Sequence, residues 1–309
     1  MPGVSRSMRR SRATNRLTVS IAAAVAIGMV GLLVRDRVRA QQLEREVAAR
    51  LRLGPNGIVM GAEPETLIGS RTHAVLVVHG FGDTPQSVRE LAHSLHARGF
   101  TVEVPLLPGH GRTLTEFGLA RAHDWIGYVR DQVARLRRTY THVSLVGLSM
   151  GAALCAIVAA ERDDISALVM LSPYLNMPQH VRRISRLLKI SGPFAPFRKS
   201  TGRTASILNP AAQPASLGLG VVSGRLLAEL YDVTMVAQES LPSIEAPTLY
   251  MASRQDSRVP PEDAMTGWQA IRAPERAFHW MEHSGHIMTV DYEKESVFRD
   301  VAAWLDRFR

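Results

Sequence analysis

From residue 73 to the C-terminus the apolar positions alternate between two patterns. Short continuous runs occupy residues 74–78, 101–104, 143–146, 165–171, 248–252 and 276–281. Runs of that length bounded by turn residues are expected of strands buried on both faces. Between them, apolar residues recur at intervals of three and four. Val88, Leu91, Ala92 and Leu95 line one face of a helix predicted over 85–98, and Trp125, Val129, Val133 and Leu136 do the same over 124–138. Further helices are expected at 150–160, 261–271 and 291–307. This alternation predicts an α/β fold with a mostly parallel sheet and helices on both faces. The stretch from about 173 to 246 shows neither period and is expected to be an insertion.

The N-terminal part reads differently. Residues 17–34 form a run of eighteen without a charge. As a helix they would span about 27 Å, close to the hydrocarbon thickness of a bilayer. Arginines bracket the run, with five before it and six soon after. The expectation is a single-pass membrane anchor whose orientation the near-equal flanks do not fix. The alternative is a signal peptide cleaved near Ala40, because Val38-Arg39-Ala40 resembles a small-x-small site. The predicted organisation is a basic tail (1–16), an anchor (17–34), a helical stalk (35–56) closed by Gly54-Pro55-Asn56-Gly57, and a main domain (57–309) with the insertion at about 173–246.

Charge sharpens this division. The chain carries a net +9 over 309 residues, a value that would ordinarily point to nucleic acid or an anionic membrane. Residues 1–53 hold eleven arginines against Asp36, Glu44 and Glu46, so nearly all the excess lies there. The rest is close to neutral, and no nucleic-acid-binding motif accompanies it. Within the insertion, no acidic residue occurs between Asp164 and Glu229. Residues 181–203 interleave Arg182, Arg183, Arg186, Lys189, Arg198, Lys199 and Arg203 with apolar side chains. This reads as a basic amphipathic helix, either covering the site or resting on an anionic membrane. The single cysteine, Cys155, excludes a disulfide framework and any multi-cysteine metal site.

The candidate chemistry begins at Gly147-Leu148-Ser149-Met150-Gly151, a G-x-S-x-G sequence between a predicted strand and a predicted helix. A serine on that strained turn is exposed as a nucleophile, and the glycines let neighbouring backbone approach closely. His79-Gly80-Phe81-Gly82 follows the strand at 74–78. The backbone N–H groups of Phe81 and Met150 are the candidate oxyanion donors. His79 precedes the serine and is read as orienting its loop. The candidate base is His286, after the last strand; His279 and His283 are its rivals, and the three could also be scored as a metal cluster. The candidate acid is Asp256, after the penultimate strand, with Asp263 and Asp291 behind it. The order Ser149, Asp256, His286 is that of serine hydrolases with a strand–serine–helix turn.

These motifs, with Met60-Gly61-Ala62-Glu63-Pro64, Pro108-Gly109-His110-Gly111 and residues 284–291, resemble the bacterial carboxylesterase and monoacylglycerol lipase family of α/β-hydrolases. The resemblance runs from about residue 60 to the end. It implies a serine carboxylic-ester hydrolase using Ser149, Asp256 and His286, with oxyanion N–H groups from Phe81 and Met150. It also implies a cap from the segment after Leu171, and the expected substrate is an acyl ester or lipid such as a monoacylglycerol or lysolipid. No cofactor or metal is expected, since a strand–loop setting cannot place His279, His283 and His286 on one helical face. A thioesterase, a C–C hydrolase or a non-catalytic membrane-tethered binding protein could be built on the same fold.

Overall fold

A computed structural model describes residues 41–178, 197–200 and 206–309, with isolated positions between 28 and 39 and Arg183. The chain divides into two compact units, residues 1–46 and 47–309. In the first, the described residues are helical. Most of the expected anchor at 17–34 and most of the basic helix at 181–203 lie outside the described residues. Among the described residues no helix is long and apolar enough to cross a membrane.

The second unit is built on a seven-stranded sheet. Its strands are β1 (Glu65–Leu67), β2 (His73–Val78), β3 (Thr101–Val104), β4 (His142–Leu148), β5 (Ala167–Leu171), β8 (Thr248–Ser253) and β9 (Arg276–Met281). A separate two-stranded ribbon pairs β6 (Arg198–Lys199) with β7 (Val221–Val222). The sheet order is β1-β3-β2-β4-β5-β8-β9. Only β1 runs antiparallel, pairing with β3. The predicted α/β architecture with a mostly parallel sheet is the one observed. Every residue of β2, β5 and β8 is buried, as are all but His142 in β4. That burial is the reason these strands read as unbroken apolar runs.

The helices are α1 (Gln86–Ala97), α2 (Leu114–Leu119), α3 (Ala122–Arg137), α4 (Met150–Ala160), α5 (Gly224–Ser240), α6 (Pro261–Ala270) and α7 (Lys294–Asp306). On one side of the sheet Val88, Leu91 and Leu95 of α1 join Val297, Val301 and Leu305 of α7 over Val75, Val77, Val146 and Val169. On the other side α4 packs against β4, β5, α3 and α5. Residues 150–159 of α4 are therefore buried on every face. A helix enclosed all round has no polar stripe to keep, which accounts for its run of alanines and aliphatic residues.

Besides the β6–β7 ribbon, the structure adds three elements to those predicted. β1 is a three-residue edge strand. α2 is held by a capping box, in which Thr113 Oγ1 accepts the Glu116 N–H while the Glu116 carboxylate accepts the Thr113 N–H. α5 lies inside the stretch expected to be irregular. Ser223 caps it, accepting the Leu226 N–H, and it packs on α4.

Candidate active site

Three side chains from three strand ends meet above the sheet. Ser149 follows β4, Asp256 follows β8 and His286 follows β9. In open α/β sheets this is the end where ligands bind. Ser149 Oγ lies 2.7 Å from His286 Nε2, and His286 Nδ1 lies 2.7 Å from Asp256 Oδ2. All three residues are buried.

Local backbone dictates the serine's position. Ser149 has φ 57°, in the left-handed region that costs a non-glycine residue about 1–2 kcal/mol. The turn is held by the Ser149 N–H donating to Leu171 O and by Ser149 O accepting the Tyr174 N–H. Its glycines are steric requirements. A Cβ on Gly151 would stand 2.3 Å from Val78 O, and one on Gly147 would stand 2.4 Å from Ala152 N. Gly80 brings its loop against the serine, since a Cβ there would lie 3.3 Å from Ser149 Cβ. Met150 opens α4, so its N–H has no intrahelical acceptor. The Phe81 N–H has no protein acceptor among the described residues.

Asp256 is fixed by backbone as well as by histidine. Its Oδ1 accepts the N–H groups of Arg258 (2.7 Å) and Val259 (3.0 Å). Burial, the largest single influence, pushes its carboxyl up. The charge and hydrogen bond of His286 and the two backbone donors outweigh it, leaving the carboxyl below its ordinary range.

His79 donates from Nδ1 to Gly80 O and accepts the Leu107 N–H at Nε2, which fixes its tautomer. Burial, with His110 alongside, pushes it down to about 3. A neutral imidazole thus cross-links the 79–82 loop to the one after β3. The rival histidines do not join the cluster. His279, on β9, bonds Asp300 Oδ2, and His283 is exposed.

The two other acids have different surroundings from those expected of solvated charges. Asp263 accepts from Asn176 Nδ2. Asp291 is buried and accepts four backbone N–H groups, from Gly285, Leu208, Asn209 and Tyr292. Nearby Glu293 accepts those of Glu282, His283 and Ser284. Together they hold the loop carrying His286. The sequence placed Asp263 in a helix at 261–271, as observed, and Asp291 at the start of a helix at 291–307, but α7 starts at Lys294. An acidic residue at the mouth of a helix, following a glycine loop with free donors, is the signal that could have marked them.

A cavity of about 610 Å3 opens over Ser149 and His286. Its walls include Phe81, Asp83, Tyr174, Leu227, Leu230 and Arg258. The segment 216–222, which ends in β7, closes one side. It is pinned by the Leu219 N–H to Gly82 O and by the Arg50 guanidinium, which donates to the carbonyls of Gly218 and Leu219.

The sheet order, the strained serine turn and the three strand-end side chains define the α/β-hydrolase class. The chain belongs to the Hydrolase_4 family (serine aminopeptidase, S33), whose model matches residues 69–293. It is 28% identical over 240 residues to a thermostable monoacylglycerol lipase of Bacillus sp. (strain H-257), covering 78% of this chain and 92% of that one. It is 24% identical to a carboxylesterase of Bacillus subtilis (strain 168), covering 81% of this chain and 98% of that one. Among solved structures, one from the metagenome-derived lipolytic enzymes LipS and LipT shares 29% identity at a TM-score of 0.74, covering 81% of this chain and 99% of that one. The monoacylglycerol lipase of Paleococcus ferrophilus, at 21% identity and a TM-score of 0.71 over 80% of this chain and 98% of that one, shares the fold.

Proposed function

We propose that the protein is a carboxylic-ester hydrolase of the monoacylglycerol lipase and esterase type, working through Ser149, His286 and Asp256. The observation that carries this is the pair of 2.7 Å contacts linking serine, imidazole and carboxylate at the floor of one cavity. The named relatives support the substrate class.

In this reading Ser149 Oγ attacks the acyl carbonyl as His286 Nε2 takes its proton. The oxyanion is met by the N–H groups of Phe81 and Met150. Loss of one such donor ordinarily lowers turnover by about 10²–10³-fold. His286 returns the proton to the leaving alcohol, and the acyl group stays on Ser149. A water, deprotonated by His286, then releases the acid. Asp256 keeps the proton on Nδ1 and stabilises the imidazolium.

The uncharged run at 17–34 further motivates a membrane anchor, with the basic residues of 181–203 meeting an anionic surface. Carbonate-resistant membrane association of the full chain, lost on deletion of residues 1–53, tests the anchor.

The chemistry is tested by Ser149→Ala. Hydrolysis of medium-chain acyl esters should fall by at least about 10³-fold, and a fluorophosphonate should label the parent but not the variant. Retention of esterase activity in the variant overturns the assignment. Faster turnover of acyl-CoA than of matched oxygen esters would replace it with a thioesterase.

A further inference from the structure

Arg258 lies two residues beyond Asp256 and serves the site with its backbone, since its N–H donates to Asp256 Oδ1. Its side chain leaves in another direction, to the cavity wall. There Nε donates to Ser206 Oγ at 3.2 Å and the terminal nitrogen donates to Ser200 Oγ at 3.3 Å. Both acceptors are neutral hydroxyls. No carboxylate pairs with this guanidinium among the described residues, whereas Arg89, Arg130, Arg137 and Arg225 each have a Glu or Asp partner.

The charge around the cavity is lopsided. Arg258 and Lys199 both line it, and Asp83 is the one carboxylate among the described lining residues. The Asp83 carboxylate is engaged by the Thr84 N–H. A half-buried guanidinium has lost part of its hydration without gaining a counter-charge. Such a group favours any ligand that brings one. Its planar fork matches a carboxylate or phosphate in two-point geometry, which a lysine would not.

We infer that the cavity selects esters bearing a second, anionic group, a carboxylate or a phosphate, and that Arg258 is the residue that recognises it. This rests on the reading of Ser149 as the nucleophile. The anionic group is bound and left unaltered while the ester bond elsewhere in the molecule is cleaved. Ser200 and Ser206 hold the fork in place, and Lys199 adds positive potential from the neighbouring position in the chain.

The test compares two matched pairs in the full-length protein. Monobutyl glutarate against butyl pentanoate offers a carboxylate, and a 1-acylglycerol 3-phosphate against the same 1-acylglycerol offers a phosphate. The parent should prefer the anionic member of at least one pair in kcat/KM, and the pair that shows it identifies the group. In Arg258→Met that preference should shrink by on the order of ten- to a hundredfold relative to the neutral member. Arg258→Lys should retain part of it, and Arg258→Glu should invert it. Equal losses for both members would make Arg258 merely structural, and a parent that prefers the neutral member of both pairs also overturns the inference. Should Arg258→Met not fold, Arg258→Lys decides by the same ratio. Fluorophosphonate labelling of Ser149 separates the levels: labelling without anionic preference overturns this inference alone, and absence of labelling overturns the hydrolase reading with it.

Discussion

Asp83 shows how one buried side chain can set a pH dependence. It lines the cavity, and burial, outweighing its hydrogen bonds to Ser87 and Thr84, raises its carboxyl to about 6. The folded value lies above the ordinary one, so the folded state binds the extra proton between about pH 4 and 6. This contribution to stability is complete below the unfolded pKa and is lost as pH rises through the folded one. Asp83→Asn should therefore gain stability over the parent from pH 4 to pH 7, by on the order of 2 kcal/mol. Thermal melts at the two pH values check it, and a constant difference between parent and variant would sink the idea. The residues of the proposed centre were readable individually. G-x-S-x-G named Ser149, and chain order named Asp256 and His286. Arg258 was not readable, because the sequence does not say which groups its guanidinium meets; the fold places it on Ser200 and Ser206.

At the scale of elements, the loop between β9 and α7 is the most heavily tied part of the site. Asp291 accepts the N–H of Gly285, next to His286, and those of Leu208 and Asn209 across from it. Asp291→Ala would strand four backbone donors, of which that of Gly285 is fully buried. It should destabilise the domain by about 3 kcal/mol and lower kcat more than it raises KM, because the imidazole loses its fixed position. Asp291→Asn keeps one acceptor oxygen and should fall between. A melt unchanged in Asp291→Ala would refute the tie. Elements such as this loop escaped the sequence reading because its residues serve long-range partners rather than a local period. α5 escaped for a related reason: with Leu226, Leu230 and Val233 buried alongside Ala228, Thr234 and Ala237, its apolar stripe is diluted by small and polar residues. Four strands of the parallel core, β2, β4, β5 and β8, were legible because near-complete burial leaves an unbroken apolar run.

At the scale of the molecule, the chain that precedes the hydrolase fold is part of the site's support. Arg50 donates to Gly218 O and Leu219 O, and the Leu219 N–H donates to Gly82 O, beside the Phe81 amide. Arg50→Ala should therefore reduce kcat/KM by a few-fold to about tenfold with an intact fold. Deletion of residues 1–53 should reproduce the loss, while a chain starting at 47 should not; kinetics on the three proteins, with circular dichroism to confirm folding, check this. Equal activity in all of them would make the Arg50 contacts incidental.

The enclosure of α4 has one more consequence. Cys155, the chain's only cysteine, sits at its middle with no exposed surface, and burial pushes its thiol well above the usual range. A thiolate reagent can reach it only after the helix separates from the sheet. The folded protein should resist Ellman's reagent. Its labelling rate in graded urea, under conditions where closing outruns reaction, should follow the free energy of opening of the whole domain. The chain thus carries its own clock for unfolding, and every variant proposed above can be timed against it without adding a probe.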